Sequence, residues 1–207
     1  VSNPPPSLDY ATPQPRSRRW FWPVFVSIAV ALILAALAVV DVAPHHPGSR
    51  PVANRAKCQS NLRAIGAAIQ IYQSQNAGTF PPSFDELLLT TTLSPARLVC
   101  GESNDEAAYG PTTQAMLTDL HRPGHLSYIY LGQGLTNLTA TADTVIAYEP
   151  LSNHNNTGMN ILFGDGHAEW WDAKIAPQII AAAATGQCVH LAAGMVWTTP
   201  KTPTTQK

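Results

Sequence analysis

Charge is scarce in this sequence. Charged residues make up 12% of it, about half the share usual in soluble domains. The 12 Lys and Arg against 13 Asp and Glu leave a formal net charge of -1 and gather on no readable face, which removes the electrostatic case for nucleic acid as a partner. Cysteine is scarce too, with Cys58, Cys100 and Cys188 the only ones. Three thiols cannot staple a small disulfide scaffold, and any monomeric pairing leaves one over. Catalytic signatures are missing as well. The "GQG" at Gly132 to Gly134 lacks the third glycine and following helix of a dinucleotide loop, so it is read as a turn, and no nucleophile motif frames any serine. No catalytic residue is expected, and the chain is not expected to be an enzyme.

What is abundant is apolar surface. "WFWPVFVSIAVALILAALAVV", Trp20 to Val40, carries no charge and has the roughly 20-residue length that spans a bilayer as helix. It has no polar face to turn toward water, so a transmembrane helix over 20–40 is expected, with the lipid bilayer as its partner. Trp20 and Trp22 mark one interface, and Arg16, Arg18 and Arg19 just before them favour a cytoplasmic N-terminus and an extracytoplasmic remainder. A cleavable signal peptide is the competing reading, with "ALA" at Ala36 to Ala38 as its processing site. That site falls inside an apolar run longer than signal peptides use, so an uncleaved anchor is preferred.

At 207 residues the chain has room for one ordinary domain with appendages. Residues 1–19 are proline-rich and polar and read as a disordered cytoplasmic arm. Residues 41–52, "DVAPHHPGSRPV", read as a helix-breaking linker. His45 and His46 within it are adjacent and cannot share a helical face. The folded part is expected over 53–190, with 191–207 a flexible tail.

Within that part the spacing of Cys58, Leu62, Ile65, Ile69 and Tyr72 predicts an amphipathic helix from Ala53 to about Gln75. Ser83 followed by Glu86 predicts the N-cap of a second, short helix. "RLVC", "LSYIYLG" and "DTVIAYE" read as strands. Cys58 lies on the apolar stripe and reads as a buried thiol in preference to a redox group. One disulfide among Cys58, Cys100 and Cys188 is permitted if the domain lies outside the cytoplasm.

"NHNNTGMNILFGDGHAEWWD", Asn153 to Asp172, poses the sharpest choice. With Asp165-Gly166 as the centre of a type I′ turn, Phe163 pairs with Ala168, Leu162 with Glu169 and Ile161 with Trp170. That register puts Ile161, Phe163, Ala168 and Trp170 on an apolar hairpin core against the helix. It leaves Leu162, His167 and Glu169 on the solvent side. The alternative is a metal site or metal-dependent hydrolase built from Asp165, His167 and Glu169, which alternate along the chain, with His154 swinging in. A structural calcium held by Asp165 and loop carbonyls is its softer form. A turn aspartate ordinarily serves its own backbone, so the turn is preferred and no cofactor is expected.

The order of these segments carries a resemblance. An N-terminal hydrophobic helix, then "RAKCQSNLRAIGAAIQIYQSQNAGTFPPSFDELL", "RLVCGESND", "SYIYLG", "TVIAYE" and "NILFGDGHAEWW", resembles the pseudopilin-like proteins with a His-X9-Asp-Gly motif. These are similar to the type II secretion and type IV pilin class. Asp165 and Gly166 match the motif, and ten residues separate His154 from Asp165. The resemblance implies an α+β, pilin-like domain with one helix packed on a small antiparallel sheet. It also implies a structural or assembly role in the cell envelope, with other envelope proteins or pilin-like subunits as partners. "SRRWFWPVFV" lacks the processing glycine and the early glutamate of that class, so filament assembly by the usual route is not expected.

Overall fold

In a computed structural model that describes residues 21–42 and 49–201, the apolar stripe becomes one face of a 27-residue helix. This is α2, Ser49–Gln75. Cys58, Leu62 and Ile65 are fully buried, and Ile69 and Tyr72 nearly so, as the spacing requires. The helix starts earlier than expected and takes residues 49–52 from the linker. Pro51 does not prevent this, because the first turn of a helix has no carbonyl partner for the N–H that proline lacks.

The chain divides into two compact units, 1–46 and 47–207. In the first, α1 runs over Phe21–Val42, and its described side chains, 23–34, are all exposed. Among the described residues no helix is long and apolar enough to cross a membrane. The N-terminal arm, its arginines and Trp20, the histidines His45 and His46, and the end of the C-terminal tail lie outside the described residues.

The second unit is α+β, with a four-stranded antiparallel sheet in the order β1-β2-β3-β4. Its strands are β1 Ile129–Tyr130, β2 Val145–Tyr148, β3 Gly158–Phe163 and β4 Ala168–Asp172. Two of the three expected strands are therefore present. "RLVC" instead begins in a 3-10 turn, Pro95–Leu98, whose N-cap Ser94 accepts from the Ala96 N–H. Proline at its start presets that turn. The short helix α3, Phe84–Thr90, begins as expected, with Ser83 Oγ accepting from the Glu86 N–H. Helix α4, Thr113–Leu120, adds Leu117 and Leu120 to the core under α2. "GQG" is a turn, with Gly134 at φ 78°.

The hairpin register differs from the expected one by one residue. Leu162 pairs with Ala168, Ile161 with Glu169 and Asn160 with Trp170. The loop has three residues, not two: the Gly166 N–H donates to Phe163 O and the Phe163 N–H to His167 O. This is a type I turn closed by a glycine bulge. Gly166 has a positive φ of 89°, whereas Asp165 is not among the positive-φ residues.

The slip exchanges the faces of β3, while Ala168 and Trp170 of β4 stay on the helix side. Leu162 and Ala168 join Leu62, Ile65 and Ile69 in the core under α2, while Ile161 and Phe163 face away from the helix. They are buried nonetheless, because the chain beyond Asp172 covers that second face. Helix α5, Ala176–Ala184, and the hairpin of β5, Cys188–Ala192, with β6, Met195–Thr199, supply Ile179, Val189 and Leu191 there. The folded part thus reaches Thr199, past the expected boundary at 190.

Helix and hairpin meet at two glycines. A Cβ on Gly66 would stand 3.0 Å from Leu162 Cδ1 and 3.2 Å from Gly166 Cα, and Gln70 Nε2 donates to Asp165 O at 3.0 Å. Glycine in a helix interior costs about 1 kcal/mol relative to alanine, and here that cost permits close docking of the turn. At Gly166 itself, substitution by valine should destabilise by about 1–3 kcal/mol, because a β-branched residue resists positive φ. Gly166→Asn should cost less than Gly166→Val, since asparagine enters positive φ more readily, although its Cβ displaces the Gln70 amide from Asp165 O. Equal losses for both variants in urea melts would refute the conformational argument.

Candidate functional site

The first half of α2 carries two residues whose side chains fix the site. Cys58 points inward from the stripe. One turn later Asn61, itself buried, donates from Nδ2 to Val99 O and accepts from Arg97 Nη1. That clamp holds the segment after the 3-10 turn against the helix and places Cys100 beside Cys58. The two thiols are free, with sulfurs 2.7 Å apart.

The sheet delivers the other half. Glu149 follows β2 directly and is 0% exposed. Its Oε2 accepts from the Asn160 N–H and from Asn160 Nδ2, each at 3.0 Å, which ties it to β3. His154 ends a 3-10 turn, Leu151–His154, that is closed by Asn155 in the left-handed conformation and held by Asn153 Nδ2 donating to Ser127 O. It is 2% exposed. Its Nε2 lies 3.0 Å from Glu149 Oε2 and 3.6 Å from Cys100 Sγ, while Nδ1 donates to the Glu102 carboxylate. Trp170 walls the site, edge-on to His154 with ring centroids 5.1 Å apart, and the Arg55 guanidinium stands 4.1 Å from a Trp170 ring centroid.

Cys58, Cys100, Glu149 and His154 each present a donor atom within 4.8 Å of the others. The electrostatics draw positive charge to their centre. Burial opposes a charged imidazole, but the contacts with Cys100 and Glu149 outweigh it and push His154 up to about 10. The hydrogen bond from Cys58, helped by His154, brings Cys100 down to about 6, while the same sulfur contact and burial raise Cys58.

The residues singled out in the sequence fare differently. Asp165 Oδ1 accepts from the backbone N–H of His167 at 3.0 Å and lies 2.5 Å from its Nδ1. The aspartate therefore serves its own turn. His167 is exposed and stacks on Phe163 with centroids 4.4 Å apart, and Glu169 is exposed on the edge strand. Asp165, His167 and Glu169 do not form a group of converging ligands among the described residues. His154 does not swing toward them. It turns into the core, to Cys100 and Glu149. Trp170 lies on the α2 side of the sheet as expected, but half-buried beside Arg55 and away from the Leu62 to Ile69 stripe. No family model, curated protein or solved structure matches this chain.

Proposed function

We propose that the chain is a membrane-anchored, pseudopilin-like structural protein of the cell envelope, acting through protein–protein contacts. The observation that supports this reading is the lie of α2 along one face of the antiparallel sheet, with all five stripe positions buried. This is the packing that the resemblance implies for the domain. The apolar run Trp20 to Val40 supplies the tether, and its preceding arginines keep the N-terminus inside.

A hydrolytic role for Asp165, His167 and Glu169 is disfavoured by their exposure and by the local bonds through which Asp165 serves its own turn. A groove lined by Ala64, Ala67, Ala68, Ile71, Leu93 and Arg97 offers no carboxylate, imidazole or thiol for chemistry. Arg97 in it is already engaged with Asn61.

Two measurements on intact cells test the proposal. Protease added to spheroplasts should digest a tag placed after Lys207 and spare one placed before Val1, and the protein should stay in the membrane fraction through a carbonate wash. Cross-linking in the membrane should capture the chain with other envelope proteins. A carbonate-soluble protein, or digestion of the N-terminal tag alone, would overturn the reading.

A further inference from the structure

We propose that Cys58, Cys100, Glu149 and His154 form a closed, four-ligand zinc site that fastens the N-terminal half of α2 to the sheet. This goes beyond the envelope role and does not depend on it. Two sulfurs, one imidazole nitrogen and one carboxylate oxygen are a donor set that zinc takes in tetrahedral geometry. Zinc–ligand bonds of about 2.0–2.3 Å imply ligand-to-ligand edges of roughly 3.3–3.8 Å. The four donor atoms already lie within 4.8 Å of one another, with edges of 3.0 Å from His154 to Glu149 and 3.6 Å from His154 to Cys100. The shortest edge, 2.7 Å between the sulfurs, widens when an ion enters. Thiolate donors select against magnesium and calcium.

The surroundings of the ligands are those a metal requires. His154 gives its Nδ1 proton to Glu102, which turns Nε2 inward and makes it a better donor, the usual carboxylate-to-histidine support of a ligating imidazole. The backbone N–H of Gly101 points at Cys58 Sγ at 3.3 Å, and that of Glu102 at Cys100 Sγ at 3.5 Å. Such bonds favour sulfur in its anionic form. Glu149 supplies an independent sign: its Oε1 is buried with no hydrogen-bond partner among the described residues. An orphaned carboxylate oxygen at 0% exposure is costly unless something cationic reaches it.

Zinc binding displaces the thiol protons and the proton on Nε2, and leaves the Nδ1 proton on its bond to Glu102. All four coordination positions come from the protein, and all four residues are buried. No position is left for water, so the ion is structural and does not catalyse hydrolysis. It ties together residues contributed by α2, the segment after the Pro95–Leu98 turn, the residue following β2 and the turn before β3, and metal binding of this kind contributes directly to folding.

The test uses the full chain, purified in detergent with reductant present. Elemental analysis should find about one zinc per chain. Cys58→Ser and His154→Gln should reduce it to background, and Cys188→Ser should retain it. Glu102→Gln, which keeps all four ligands, should weaken zinc affinity by about 10- to 100-fold. Since ligand variants can fail to fold, cobalt added to the chelator-stripped wild-type chain provides a second reading. Thiolate-to-cobalt charge-transfer bands with tetrahedral ligand-field absorption, bleached by zinc, would support the site. Substoichiometric zinc together with no thiolate–cobalt absorption would overturn it. So would an intact mass with Cys58 and Cys100 joined as a disulfide in protein isolated without reductant.

Discussion

Leu162→Ala should lower the stability of the domain by about 2–5 kcal/mol, while His167→Ala should change it by less than about 0.5 kcal/mol. Leu162 is fully buried between α2 and the sheet, in one cluster with Leu62, Ile65 and Ile69. Removing its isopropyl group opens a cavity between α2 and the sheet. Gly66 stands against Leu162 Cδ1 and Ala168 is its cross-strand partner, so neither of these two neighbours has a long side chain to fill the space. His167 is exposed, and its contacts are a local bond to Asp165 and a stack on Phe163. Urea melts of the full chain, followed by tryptophan fluorescence, measure both. A type I′ hairpin would turn Leu162 to solvent with His167, so similar small losses for the two variants would restore that register.

The same hairpin marks where the sequence was legible and where it was not. Helical period is robust: five apolar residues at steps of four and three specify one face whatever lies elsewhere, and Cys58 to Tyr72 are buried accordingly. The cap at Ser83 is equally local. Strand pairing is fragile, because "FGDGH" accommodates either a two-residue or a three-residue loop and the choice exchanges the side chains of β3 between faces while leaving those of β4 in place. Pattern could not arbitrate, since β3 is buried on both faces and has no polar side to exclude. The cover for its second face comes from α5 and β5, a stretch whose alanine-rich sequence gave little sign of a second core.

The four-residue cluster was hidden for a different reason. Cys58 read as a stripe residue, Cys100 as the end of a strand, and His154 as part of a loop motif, and Glu149 drew no notice. Cys58 and Cys100 are 42 positions apart, with no local ligand spacing. One signal was there to be read: "VIAYE" carries a glutamate straight out of a strand whose four residues are all buried. A carboxylate in that position must find a cation or a donor, and asking which cation would have led to His154 and the cysteines.

The strongest coupling in the domain should therefore lie between His154 and Glu149. In chelator-treated full chain, His154→Ala should cost about 3–5 kcal/mol, because it strands a buried carboxylate without its opposite charge. Glu149 is 0% exposed and its Oε1 has no partner among the described residues, so loss of the imidazole leaves the carboxylate with the neutral donors of Asn160. Adding Glu149→Gln to His154→Ala should recover part of that loss. The amide oxygen still accepts from the Asn160 N–H, which now meets Glu149 Oε2 at 3.0 Å, and the stranded charge is gone. The double-mutant cycle should show a coupling of about 1–3 kcal/mol. Glu102 lies on the far side of the ring, against Nδ1, and is only partly buried, so in the metal-free chain Glu102→Gln should cost much less than His154→Ala. If the losses from His154→Ala and Glu149→Gln simply add, within about 0.5 kcal/mol, the two groups do not form a buried charge pair and the electrostatic account of the site fails.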